Sequence, residues 1–134
     1  MEKKILVIED DPFTKIFYKK ILSDKLGYKI DILEDGDKIL EAVAVENYVL
    51  IILDINLINS YLDGKKTDGV QISKAIKTKF PDRNIPILLI TAYKKGNKTD
   101  NFFVQSLADD YIIKPIADFN ILLDKVTQLI EDNG

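Results

Sequence analysis

The sequence contains no cysteine, no histidine and no tryptophan. The missing cysteine excludes disulfides, thiolate metal sites and cysteine nucleophiles. The missing histidine excludes Ser-His-Asp catalysis, imidazole-bound zinc and histidine phosphotransfer on this chain itself. Positive charge is not in excess either: 19 Lys and Arg stand against 22 Asp and Glu, a net charge of −3 that gives no pull toward nucleic acid. No apolar run approaches a membrane span, and the opening Met1-Glu2-Lys3-Lys4-Ile5 lacks the apolar region of a secretory signal, so a cytoplasmic location is expected. Chemistry on this chain must come from carboxylates, lysines, hydroxyls or backbone groups.

What is present is an alternation of short apolar runs and helical patterns. Lys4 to Ile8 reads as a strand and stops at Glu9-Asp10-Asp11-Pro12. Asp11 then serves as N-cap with Pro12 at the first helical position, and Phe13, Phe17, Ile21 and Leu22 form the apolar face of a helix ending near Gly27. Tyr28 to Leu33 is a second strand, followed by a helix carrying Ile39, Leu40 and Val43. Val49 to Leu53 is a continuous apolar run, the mark of a strand buried on both faces of a parallel sheet, and it ends in a carboxylate, Asp54.

After a loop from Ile55 to Thr67, Asp68-Gly69 opens a helix carrying Val70, Ile72, Ile76 and Phe80, closed by Pro81. Ile85 to Ile90 is a fourth strand ending at Thr91, and the polar stretch Lys94 to Asp100 precedes a helix with Phe103, Val104 and Leu107. Tyr111 to Ile113 is a fifth strand running into Lys114-Pro115, before a last helix with Phe119, Leu122, Leu123, Val126, Leu129 and Ile130. Five βα units in one chain predict a three-layer α/β domain over residues 1–134, flavodoxin-like, with a parallel five-stranded sheet in the order 2-1-3-4-5.

That order makes strands 1 and 3 neighbours, so the acids after strand 1 and Asp54 after strand 3 share a crevice at the carboxyl edge of the sheet. Clustered carboxylates repel by about 4 kcal/mol per pair at 4 Å and an effective dielectric near 20. A hard divalent cation such as Mg²⁺ relieves this repulsion, and it suits one or two carboxylates with water and phosphate. Thr91 and Lys114 add a hydroxyl and a cation at the same edge, completing the parts needed to accept a phosphoryl group. Taken singly, each has a plainer role: the acids as helix-start groups, Asp54 as a turn cap, Tyr111 as a half-buried strand residue.

The segments Ile8-Glu9-Asp10-Asp11-Pro12, Leu53-Asp54-Ile55-Asn56-Leu57, Leu89-Ile90-Thr91-Ala92 and Asp109-Asp110-Tyr111-Ile112-Ile113-Lys114-Pro115, in this order, resemble the receiver domain of two-component response regulators. The resemblance implies that Asp54 accepts a phosphoryl group from a phosphohistidine on a partner kinase or phosphotransfer protein. It implies Mg²⁺ held by Asp10 and Asp54, by Glu9 through water and by the backbone carbonyl of Asn56. It implies that Thr91 and the Ala92 amide grip the phosphoryl oxygens, that Lys114 pairs with them and precedes a cis proline, and that Tyr111 is the aromatic that swings inward with Thr91. Phosphorylation would then alter a surface that binds a downstream protein, a fused output domain or a second copy. Such a domain is no enzyme beyond its own phosphorylation and dephosphorylation. The last helix ends at Gly134 with no output domain after it, so the protein acts alone or is part of a larger regulator or hybrid kinase.

The sequence also departs from that pattern. Asp68-Gly69 follows Asp54 by 14 and 15 residues, farther than in typical receivers, so residues 59–67 contain an insertion of about seven in an elongated loop of about 56–68. Its Lys65 and Lys66 either fold over the site or keep the loop soluble. Leu107 stands where receivers commonly place glycine, so a turn other than the left-handed one is expected there. Tyr93, two residues past Thr91, is expected to shield an acyl phosphate from water, and Lys94 to Lys98 to be a solvated loop. Phe13 and Ile16 form either core packing or a docking patch for a phosphodonor helix, and one of Phe102 and Phe103 is expected to face the surface. The competing functions are a haloacid-dehalogenase-like phosphatase, disfavoured because Asn56 stands where a second Asp is needed, and a degenerate receiver used only for binding. A flavodoxin-like cofactor role fits poorly with an acidic first loop.

Overall fold

A computed structural model describes residues 3–92 and 97–133. Strand β1 (Lys4–Ile8) leads to helix α1 (Pro12–Leu26), β2 (Lys29–Leu33), α2 (Gly36–Val45) and β3 (Tyr48–Asp54). A short hairpin follows, β4 (Tyr61–Leu62) and β5 (Lys65–Lys66), and then α3 (Gly69–Lys79) with a 3₁₀ turn at Pro81–Arg83. The chain finishes with β6 (Ile87–Thr91), α4 (Asn97–Ser106), β7 (Asp110–Ile113) and α5 (Phe119–Asn133). The main sheet is parallel in the order β2-β1-β3-β6-β7, which is the expected 2-1-3-4-5 once the hairpin strands are set aside. The architecture is the flavodoxin-like one.

Strand periodicity divides the core into two layers. Leu6, Ile8, Ile51, Leu53, Ile87 and Leu89 face α2, α3 and α4, packing with Ile39, Val43, Val70, Ile72 and Ile76. The alternate residues Ile5, Val7, Leu50, Ile52, Leu88 and Ile90 face α1 and α5, packing with Tyr18, Leu22, Leu122 and Val126. Because side chains alternate between faces, a central strand covered on both sides must be apolar at every position, and this is why Val49 to Leu53 carries no polar residue.

Helix α1 begins as expected: the Thr14 amide donates to Asp11 Oδ2 at 2.8 Å, and Gly27 ends the helix with φ of 73°. Its buried face matches the expected one at Phe17 and Leu22 but not at Phe13. Tyr18 and Leu22 are the buried residues, whereas Phe13 is 81% exposed. Phe13 sits in the first turn, where it lines a groove with Lys114 and Pro115. Val104 on α4 likewise faces outward, and α4 starts at Asn97, inside the stretch expected to be a loop. Phe102 and Phe103 are both half-buried against the α2–α3–α4 layer, so neither is the surface aromatic expected.

Leu107 corrects a further expectation. It keeps the left-handed conformation, with φ of 61°, although it has a Cβ. The turn is fixed from beyond itself: the Ala108 amide donates to Ser106 Oγ at 3.1 Å, and Asp109 takes the Ile87 amide at 2.8 Å and Lys77 Nζ at 2.7 Å. Asp109 thus ties the turn to both β6 and α3.

Candidate functional site at the carboxyl edge of the sheet

Register decides which residues meet. Ile8 pairs with Leu53, Asp54 with Ile90, and Thr91 with Ile113, so the four strand ends finish at one level. Glu9, Asp54, Thr91 and Lys114 are the last or next residues of β1, β3, β6 and β7. The sequence-predicted set is therefore gathered at one edge by the parallel sheet alone.

Asp54 is buried, 4% exposed, and both its oxygens are engaged. Oδ1 accepts the Asn56 amide at 3.0 Å, and Oδ2 pairs with Lys114 Nζ at 2.7 Å. Lys114 is in turn held by its own backbone, whose amide donates to the Thr91 carbonyl at 2.6 Å, and the Lys114–Pro115 bond is cis as expected. The carboxylate is buried while the lysine side chain keeps a third of its surface in solvent, so the pair is only partly shielded from water. Thr91 is fully buried at the end of β6, with Ala92 exposed directly after it.

Glu9 is 1% exposed, and its Oε2 accepts the amides of Asp10 and Asp11 at 3.0 and 3.2 Å. Burial, reinforced by the nearby Asp54 charge, pushes its carboxyl up to about 7. Its other oxygen, Oε1, is buried with no hydrogen-bond partner. A buried unsatisfied acceptor beside a second buried carboxylate is the kind of site a cation fills.

Asp10 departs from the expected convergence. Its Oδ2 accepts the amide of Ile58 at 2.6 Å, from the segment after Asp54. Accordingly, no three acidic side chains converge closely enough to hold a metal among the described residues. The donor set still fits Mg²⁺, because that ion needs only one or two carboxylates with water and phosphate. Glu9 and Asp54 are the carboxylates that could hold it, with Asp10 once turned from Ile58, and the Asn56 backbone lies beside Asp54.

The elongated loop holds what sequence reasoning missed. Asp63 and Gly64 have φ of 51° and 77°, the pair of positive values of a type I′ turn, and they join Tyr61-Leu62 to Lys65-Lys66 as a hairpin. Asp-Gly between two short runs is the signal that could have found it. Lys65 and Lys66 are both exposed on β5. Gly69 also escaped notice as a site residue: a Cβ there would collide with the Asp54 carbonyl and lie 2.7 Å from Ile55 Cα, so only glycine lets α3 sit against the backbone of Asp54. Tyr111 is half-buried with its ring 5.2 Å from that of Phe103, which connects the end of the sheet to α4. Tyr93, with Lys94, Lys95 and Gly96, lies outside the described residues.

Known proteins extend these observations. The chain is 30% identical over 123 residues to the transcriptional regulatory protein ResD of Bacillus subtilis, covering 91% of this chain and 46% of that protein. It is also 30% identical over 126 residues to the autoinducer sensor kinase/phosphatase CqsS of Vibrio cholerae, covering 93% of this chain and 17% of that one. The chain thus spans less than half the length of either. Among solved structures, the response regulator TrrA of Thermotoga maritima, determined in complex with Mg²⁺–BeF, matches with a TM-score of 0.74 and 31% identity, over 96% of this chain and 99% of that one. The family model for the response regulator receiver domain matches residues 5–127. With that match across nearly its whole length, the chain belongs to the response regulator receiver domain family of two-component signalling.

Proposed function

We propose that Asp54 is the phosphoacceptor of this receiver and that residues 1–134 act as one phosphorylation-controlled switch. The observation that carries this reading is the buried Asp54 paired with the half-buried Lys114 at 2.7 Å, beside Glu9, whose Oε1 has no partner. In the proposed reaction an Asp54 carboxylate oxygen forms a bond to the phosphorus of a phosphohistidine on a partner kinase or phosphotransfer protein. The P–N bond breaks, and the departing imidazole takes up a proton from solvent. Lys114 shifts from the carboxylate to the phosphoryl oxygens, which the Thr91 hydroxyl and Ala92 amide also hold. Mg²⁺, bound by Asp10 and Asp54, by Glu9 through water and by the Asn56 carbonyl, would supply charge neutralisation for the transferring group.

Thr91 and Tyr111 are the proposed readout. Movement of Thr91 toward the phosphoryl group frees space at the end of β6, and the Tyr111 ring leaves Phe103 to fill it. The resulting change at α4 and β7 is the signal for a downstream partner or a fused output domain. On the opposite side, Phe13 and Ile16 are 81% and 66% exposed, and Phe13 lines a groove with Phe17, Lys114 and Pro115. The position of Phe13 beside Lys114, with Ile16 exposed on the same helix, supports docking of the phosphodonor there. The chemistry is confined to the domain's own phosphorylation and dephosphorylation, in the cytoplasm.

The reading is tested by incubating the protein with acetyl phosphate and Mg²⁺ and measuring its intact mass. The expected result is a gain of one phosphate, lost with chelator and absent from Asp54→Asn. A gain that survives in Asp54→Asn would refute the assignment, and steady hydrolysis of simple phosphate esters would point to the phosphatase reading.

A further inference from the structure

We infer that the segment after Asp54 is a clasp that competes with the metal for Asp10, so that cation binding and the Ile58–Asp10 contact are mutually exclusive. The inference rests on the proposed role of Asp10 as a metal-binding carboxylate. Its observation is the bond from the Ile58 amide to Asp10 Oδ2, at 2.6 Å and between residues 48 apart in sequence.

Ile58 is not at the tip of a free loop. Before it, Leu57 is buried in the α2–α3–α4 layer. After it, the Thr67 amide donates to the Ser60 carbonyl at 3.0 Å, closing the base of the hairpin. The hairpin is then fastened to the start of α2. The Tyr61 amide donates to Asp35 Oδ1 and the Asp63 amide to Asp37 Oδ1, both at 3.1 Å. Gly36 forms the seat: a Cβ there would approach the Tyr61 carbonyl to 2.6 Å and Leu62 Cγ to 2.8 Å. The position of the Ile58 amide is therefore set by α2 through the hairpin, and its partner is a carboxylate of the candidate metal site.

A carboxylate held by a short N–H bond has one lone pair and part of its charge already committed, and its orientation is fixed. That is consistent with the lack of three converging acids among the described residues, while Glu9 Oε1 stays without a partner. Turning Asp10 to a cation breaks its bond to Ile58 and frees the segment leading into the hairpin, whose bonds to Asp35 and Asp37 pass the change to the start of α2. Loading the metal would thus be reported at α2, on the flank of the molecule away from α4.

The test is an NMR titration of the full chain with MgCl₂, comparing wild type with Ile58→Pro, which removes the donor, and Gly36→Ala, which unseats the hairpin while leaving Ile58 intact. The expected result is about tenfold tighter Mg²⁺ binding by Ile58→Pro, the scale of one hydrogen bond to a charged group, and a smaller gain for Gly36→Ala. Hydrogen exchange at the Ile58 amide in wild type is expected to quicken on Mg²⁺ saturation while β3 amides stay protected. Equal or weaker binding by both variants, or an Ile58 amide that exchanges more slowly with Mg²⁺, would overturn the clasp and leave the functional reading intact. If Ile58→Pro does not fold, Gly36→Ala with the exchange measurement decides. No Mg²⁺ binding by any of the three would overturn the metal site itself and the clasp with it.

Discussion

Glu9 shows what a single buried side chain costs when its partner is absent. Its folded-state carboxyl is raised to about 7, against 4.5 for an ordinary glutamate, by burial first and the Asp54 charge second. Between those values the folded state binds a proton that the unfolded state has released. The stabilising contribution is therefore complete at low pH and is lost as pH rises through the folded value. In metal-free solution, the denaturant midpoint of wild type relative to Glu9→Gln is expected to fall between pH 5 and pH 8. Mg²⁺ should remove that fall, since a cation favours the ionised carboxylate. Parallel pH profiles for the two proteins without metal would contradict this account. The sequence showed that Glu9 was an acid at a strand end. It did not show that one oxygen is taken by the Asp10 and Asp11 amides and the other left bare.

Elements were legible where a local rule and the global fold agree. Val49 to Leu53 could only be a strand covered on both faces, and Asp11-Pro12 could only start a helix. Errors fell where a rule was applied without its surroundings. The apolar spacing of α1 starts at Phe13, but the buried stripe is centred on Tyr18 and Leu22, one turn farther on. The Asp63-Gly64 turn signal was read as part of a loop because its strands are two residues each, too short to show alternation. At Leu107 the expectation failed because tertiary anchors overrode residue preference. Asp109 and Ser106 hold the turn, and leucine is carried into the left-handed region at about 1–2 kcal/mol. Leu107→Gly should relieve that cost, less about 0.5–1 kcal/mol for the added freedom of the unfolded chain. A net stabilisation of about 0.5–1 kcal/mol is expected in urea unfolding at unchanged m-value. Destabilisation would show that the half-exposed leucine side chain contributes more packing than its surroundings suggest.

For the molecule as a whole, the parallel sheet does most of the functional work by ending four strands at one level. Residues from positions 9 to 114 meet there because the register of each strand is fixed by its own buried face. The gathered set was readable from the sequence as four strand-end motifs in order. The Ile58–Asp10 contact was not, because a backbone amide carries no residue signature and its position depends on a hairpin seated on another helix. The two sides of the site have different tasks in this account: Phe13 and Ile16 flank the proposed donor approach, while Tyr111 and Phe103 lead away toward α4. Both tasks depend on one covalent event at one carboxylate. The direct test is to phosphorylate the protein with acetyl phosphate and Mg²⁺, reduce the acyl phosphate with borohydride, and locate the resulting homoserine by peptide mass spectrometry. The account predicts homoserine at position 54 alone; homoserine at Asp10 or any other aspartate, or 5-hydroxynorvaline at Glu9, with Asp54 unchanged, would contradict it.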